Sequence, residues 1–221
     1  MRTITLVLLF AVAVVLTGCH GMAGQVRGSG NRVVQKRQIG NFTSITTEGA
    51  YDVRVVCQKE ASLEIEGDDN VLAVITTEVT SGALRLKSLR NFSVSDPIVV
   101  RISVPNLDGM TVNGSGKVDV DGLSNQRFEL DVNGAPTIRV AGVTKVLDIS
   151  SNGAAKVDTR KLAASQAVVE SNGVSKIDLD VKDKLDVTIS GPSSVSYEGD
   201  PVVTKTIHGP GKLEKKASEG A

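Results

Sequence analysis

Along the second half of the chain, apolar and polar residues alternate in short bursts that break at regularly placed glycines. Phe128-Glu129-Leu130-Asp131-Val132 alternates before one break, and Thr137-Ile138-Arg139-Val140 alternates after it. A period of two predicts strands with one buried and one solvated side. The breaks fall at Asn113-Gly114, Asn133-Gly134, Asn152-Gly153, Asn172-Gly173 and Ser190-Gly191, at spacings of 20, 19, 20 and 18 residues. An Asn-Gly pair between alternating runs ordinarily signals a two-residue hairpin. Hairpins explain the alternation, but not the recurrence of one glycine register along one direction of the chain. A parallel β-solenoid explains both: each repeat is one coil, and equivalent strands of successive coils pair about 4.8 Å apart. Gly114, Gly134, Gly153, Gly173 and Gly191 then form a corner column, where a Cβ would obstruct the bend, and the asparagines beside them are placed to bond along the ladder.

The same alignment sorts inside from outside. Met110, Leu130, Ile149, Val169 and Val187 stand four residues before the glycine; Val118, Ile138, Val157, Ile177 and Val195 stand four after it. Val120, Val140, Thr159, Leu179 and Tyr197 stand six after it. These columns are the predicted core. Two before the glycine, Ser151 and Ser171 replace the apolar residues of their neighbours, and their hydroxyls are expected to bond each other inside. Thr206-Ile207-His208-Gly209 reads as a degraded half-coil ending at Leu213, a cap of the stack.

Upstream, Ile45, Gly49, Val53 and Val55 match the register as one coil placed early. Between it and the repeats, alternation predicts strands over 62–66, 83–87 and 98–104, and a short helix from Val71 to about Thr77, capped by Asp68 or Asp69. Calcium binding at Gly67-Asp68-Asp69-Asn70 is disfavoured, because neither EF-hand nor β-roll spacing is present.

The N-terminus changes the picture of where the protein works. Met1-Arg2-Thr3 precedes an apolar run from Ile4 to Leu16, too short for a comfortable span and typical of a cleaved signal over residues 1–18. Leu16-Thr17-Gly18-Cys19 resembles the bacterial lipobox, which implies a lipid joined to Cys19 and a membrane partner reached through that anchor. His20 rather than Asp after the cysteine implies the outer membrane of a Gram-negative envelope. Residues 19–32, rich in Gly and polar residues, read as a flexible tether. A single domain is expected over 33–215, and a tail over 216–221. With Cys19 lipidated, Cys57 has no disulfide partner and reads as a small core residue.

Composition bounds the chemistry. Lys plus Arg and Asp plus Glu number 25 each, so bulk attraction to nucleic acid is excluded. Four Phe, two Tyr and no Trp mean that Val, Ile and Leu fill a thin core. Metal ligation lacks a cluster: His20 lies in the tether and His208 in the cap. No phosphate-cradling motif is present, and no cofactor is expected.

Phe42, Ile45, Glu48-Gly49-Ala50-Tyr51-Asp52-Val53, Leu63-Glu64-Ile65-Glu66-Gly67-Asp68-Asp69-Asn70-Val71-Leu72, Gly82-Ala83-Leu84 and the later coils resemble the head GIN domain family of auto-transporter adhesins over roughly residues 38–215. The resemblance implies a parallel β-solenoid, export, frequent lipid anchoring and an adhesin role; it supplies no catalytic residues.

One surface invites attention. Outward positions after the corner carry Lys117, Thr137, Lys156 and Lys176, and two residues on Asp119, Arg139, Asp158 and Asp178. Stacking brings Asp158 beside Asp178, flanked by Lys156 and Lys176, on what reads as an exposed, solvated face. A carboxylate pair suits glycoside hydrolysis, but no aromatic platform accompanies it. The expected function is therefore a lipid-anchored, non-enzymatic binding or adhesion protein of the bacterial envelope with a glycan or protein partner. A polysaccharide-active solenoid enzyme and a structural assembly component stand as alternatives, and oligomerisation is left open.

Overall fold

The computed structural model describes residues 24–217; the signal, Cys19 and His20 lie outside them. Its strands are β1 (Val26–Arg27), β2 (Arg32–Arg37), β3 (Ser44–Glu48), β4 (Tyr51–Cys57), β5 (Ser62–Asp68), β6 (Ile75–Thr80), β7 (Ala83–Ser88), β8 (Phe92–Ser93) and β9 (Ile98–Val104), with α1 (Asp69–Leu72) between β5 and β6. The repeats follow as β10 (Gly109–Gly114), β11 (Gly116–Gly134), β12 (Thr137–Ser151), β13 (Lys156–Ser171), β14 (Lys176–Ser190), β15 (Ser194–Glu198), β16 (Val202–His208) and β17 (Lys212–Lys215). All pairings among β10 to β17 are parallel. The protein is a β-solenoid, and its glycines stack in register, Gly114 against Gly134 for example.

Two corner glycines show why no other residue fits. Gly134 has φ +148°, and a Cβ on it would stand 2.0 Å from the Gly114 carbonyl oxygen. Gly153 lacks the positive φ but meets the same obstacle, 2.0 Å from the Gly134 oxygen. Close approach of successive coils, rather than dihedral preference alone, therefore dictates the column. Beside it the asparagines form the expected ladder: each amide of Asn133, Asn152 and Asn172 donates to the side-chain oxygen one coil back, at 3.0, 3.2 and 3.1 Å.

All the inward columns are buried except Tyr197, which is half-buried. A further column, six residues before the glycine, also lies inside: Phe128, Leu147, Ala167 and Leu185 are 0–1% exposed and in register. The serines behave differently from expectation. Ser151 bonds Ser175 (2.7 Å) and Ser171 bonds Ser193 (2.8 Å), each reaching a corner serine of the next coil rather than one another. Ser175 and Ser193 donate their hydroxyl protons to the carbonyls of Gly153 and Gly173 at the same corner, so toward Ser151 and Ser171 they are the acceptors.

The N-terminal half departs from sequence order. β3 lies between β10 and β7, and β4 between β11 and β9. The Ile45 coil thus stacks directly on the repeats, and strands 83–88 and 98–104, later in sequence, form the coil on its far side. Antiparallel β6 on β7, β5 on β9 and β2 on β5 close that end. The helix expected from Val71 to Thr77 is shorter and earlier, ending at Leu72. Ile75 to Thr80 is β-branched at five of its six positions and pairs instead through a two-residue turn, with Ser81 at φ 51° and Gly82 at φ 78°. Asp68 occupies the N-cap but makes no side-chain capping bond. Its carboxylate accepts from the Gly30 amide, and that of Asp69 from Ser29 and Asn31. With β1 paired to β8, these bonds hold down the described half of the segment read as a tether.

The C-terminal coil closes as expected, with β16 on β14 and β17 on β15. Lys212 to Lys216, which as a mixed-charge run suggests a frayed end, is its final rung: the Lys216 amide donates to the Tyr197 carbonyl at 2.8 Å. Cys57 ends β4, buried, and burial, followed by Asp121, pushes its thiol up to about 11. A thiol held protonated in this way is not a nucleophile at neutral pH.

Candidate functional site

Parallel, in-register stacking turns single outward positions into columns about 4.8 Å apart. The column five residues after the corner runs Arg101, Arg54, Asp119, Arg139, Asp158, Asp178, Ser196 across successive coils. Alternating charge makes most of it self-compensating, and Arg139 Nη1 lies 3.5 Å from Asp119 Oδ1. At its far end Glu66 accepts from Arg101 (2.8 Å) and lies 3.3 Å from Arg32, contacts that hold its carboxyl below the usual range. The adjoining groove is lined by Arg54, Asp119, Arg139, Lys156, Arg160 and Lys161, among others.

The four residues singled out in the sequence do meet: Asp158 faces Asp178, and Lys156 faces Lys176. Their environments diverge, however. Asp158 is gripped by the Arg160 fork (Nε 3.0 Å, Nη2 2.8 Å), which holds its carboxyl below the usual range. Asp178, expected on the exposed face, is instead 4% exposed. The final rung covers it, with Lys216 Nζ 2.6 Å from Oδ1, Ser196 Oγ donating to the same oxygen, and Lys176 Nζ 4.0 Å from Oδ2. Burial works to raise its pKa, but the bonds from Lys216 and Ser196 outweigh it and the net direction is down. A glycoside-cleaving pair needs one carboxyl kept protonated near neutral pH as the acid. Here both are driven toward the anion, so the pair is a compensated structural one.

This arrangement predicts a pH response. A carboxyl with a depressed folded pKa contributes stability above its unfolded value, ~3.9, and loses it as pH falls through the folded value. Lys216→Ala leaves burial less opposed. We expect about 1–3 kcal/mol of destabilisation at neutral pH, and a smaller further loss on acidification than in the parent protein, because the folded and unfolded values of the Asp178 carboxyl then lie closer together. Denaturant midpoints between pH 7 and pH 3 check this, and superimposable profiles for variant and parent would show the ammonium to be an idle surface contact.

Arg54, Arg101 and Lys216 were not singled out by sequence. Arg54 sits at the same offset from Gly49 as Asp119 from Gly114, so the alignment could have found it; Arg101 and Lys216 depended on the out-of-order coil and on the last rung. Among the described residues no group of three or more His, Cys, Asp or Glu is placed to hold a metal ion. His208 lies at the end of β16, beside Ser190.

Stacked parallel coils with an ion-paired outer face define a β-solenoid scaffold. The chain belongs to the family described as "putative auto-transporter adhesin, head GIN domain", whose model matches residues 41–201. Among solved structures, it is similar to a putative adhesin from Bacteroides fragilis (TM-score 0.68, 19% identity, 87% of this chain and 99% of that one). It is also similar to a putative adhesin from Parabacteroides merdae (0.54, 18%, 88% and 100%) and to a putative lipid binding protein from Parabacteroides distasonis (0.53, 18%, 87% and 100%). At these identities the likeness concerns the fold. Among curated proteins, none matches the sequence.

Proposed function

We propose that this protein is a non-enzymatic adhesion module of the bacterial envelope, tethered by a lipid on Cys19, with the outer membrane as its site. The observation that carries the binding role is the continuous charged column from Arg101 to Asp158, with its groove, on a rigid side face. Such a face engages an extended partner without an enclosed pocket. Family membership supports adhesion over catalysis. Among the described residues no helix is long and apolar enough to cross a membrane.

Two measurements test the reading. Cys19→Ser is expected to move the protein from the membrane pellet to the soluble envelope fraction, and undiminished pelleting would refute the lipid. For the face, retention of envelope polymers on the immobilised full chain should fall about tenfold with Arg54→Glu plus Arg139→Glu and weaken with salt, since exposed charges are screened. Retention indifferent to both would remove the charged column as the binding surface.

A further inference from the structure

The corner of the coil built from β7 and β9 is unlike the others. The repeat corners turn within a few residues, whereas here residues 89–97 separate the strands. That loop folds over the Glu48–Tyr51 corner of the next coil and leaves a pocket of about 670 Å³ between them, within the ~300–1,000 Å³ that small-molecule sites occupy. The loop is held by the N-terminal segment at the pocket rim: Val26 donates to the Asn91 carbonyl (2.8 Å), Gln25 Nε2 to the Phe92 carbonyl (3.1 Å), and Arg90 Nη2 to the Gly24 carbonyl (2.6 Å).

At the floor lies Tyr51, 2% exposed, whose hydroxyl has no hydrogen-bond partner. A buried hydroxyl left unpaired is costly and uncommon. Above it stands the exposed Gly49, where a Cβ would come within 3.2 Å of that hydroxyl, so the absence of a side chain leaves the oxygen thinly covered. Burial, then the Glu48 carboxylate, pushes the phenol up to about 12, which keeps it a donor. The half-buried Phe92 ring lies 6.3 Å from the Tyr51 ring, tilted by 33°. The exposed Asn91 and Gln25 bring side-chain amides to the rim. Of the two charged groups lining the pocket, Glu48 is paired with Arg85 and Arg90 donates to the Gly24 carbonyl, so each already has a partner.

An apolar ring face, amides that both donate and accept, and an unmet hydroxyl together match a polyhydroxylated ring. We propose that this pocket binds a neutral sugar residue, with Tyr51 bonding a sugar oxygen and Phe92 lying against the apolar face of the ring. The proposal names a ligand class for the adhesion reading and to that extent rests on it, but it uses none of the residues of the charged column.

The test is ligand-observed NMR with glucose, galactose, mannose and N-acetylglucosamine, on the full chain in a non-glycosidic detergent. At least one sugar should give saturable transfer, and Tyr51→Phe and Phe92→Ala should each weaken it roughly tenfold. Tyr51→Phe should not lower the melting temperature, because no intramolecular bond is lost; a structural role for the hydroxyl predicts the opposite. Saturable binding lost in both folded variants supports the proposal. Absence of binding to all four sugars, unchanged affinity in Tyr51→Phe, or a lowered melting temperature in that variant overturns it. Polymer retention dependent on Arg54 and Arg139 alongside absent sugar binding would mean that the pocket alone fails; loss of both would remove the adhesion reading as well.

Discussion

Gly134→Ala is expected to destabilise the protein by on the order of 4 kcal/mol or more, the range reserved for a few severe mechanisms. The added methyl would sit 2.0 Å from the Gly114 carbonyl oxygen. That carbonyl is a backbone atom, already accepting from the Ala135 amide at 3.0 Å, so it cannot rotate aside. Two coils must part at the corner, and the Asn113–Asn133 bond opens with them. Positive φ at Gly134 accounts for only about 1–2 kcal/mol of this. Gly153→Ala separates the causes, since it has the same 2.0 Å approach without a positive φ. Thermal melts should show both variants severely lowered, with Gly40→Ala, which meets nothing within 4 Å, near the parent. If Gly134→Ala alone suffers, dihedral strain rather than coil stacking explains the column.

Ile138→Asp should abolish the folded state. Ile138 is 0% exposed, between Val118 and Val157 in the adjacent coils, and none of these offers a hydrogen bond to a carboxylate. A carboxylate there loses its hydration without gaining a partner, and even the neutral acid leaves polar atoms unmet. That cost approaches the whole stability of a typical domain, about 5–15 kcal/mol. In a stack each coil is held mainly by its two neighbours, so a broken middle coil also uncouples those on either side. Loss of the β signal in far-UV circular dichroism is the expected result. A cooperative melt near that of the parent would mean that position 138 faces outward and that the inside and outside columns are exchanged.

The repeats were legible because each coil satisfies its neighbours by the same rule. A glycine every 18–20 residues places Ile138 inside and Arg139 outside without knowledge of any distant contact. The column of Phe128, Leu147, Ala167 and Leu185 was equally available to that alignment, six residues before each glycine. The helix after Asn70 was harder to bound. Ile75 to Thr80 alternates too weakly to declare itself, and its strand state depends on the Ser81-Gly82 turn and on the partner it brings.

The site was legible only in part. That Asp158 would face Asp178 followed from the repeat alone, but that Asp178 would be buried did not. Its cover comes from Lys216, 38 residues further along the chain, where the repeat has degraded and no period predicts contact. The Tyr51 pocket was out of reach for the same reason: Phe92 arrives from a loop in a coil that is later in sequence yet stacks on the far side of Tyr51.

The sequence alone determined the winding of the chain, the residues that point inward and the glycine corner, because these depend on local periodicity repeated between neighbouring coils. Only the tertiary structure decided the order of the N-terminal coils, the burial of Asp178 and the pocket over Tyr51. Each of those joins segments with no shared period, and their pairing follows from which surfaces the folded stack leaves uncovered at its ends.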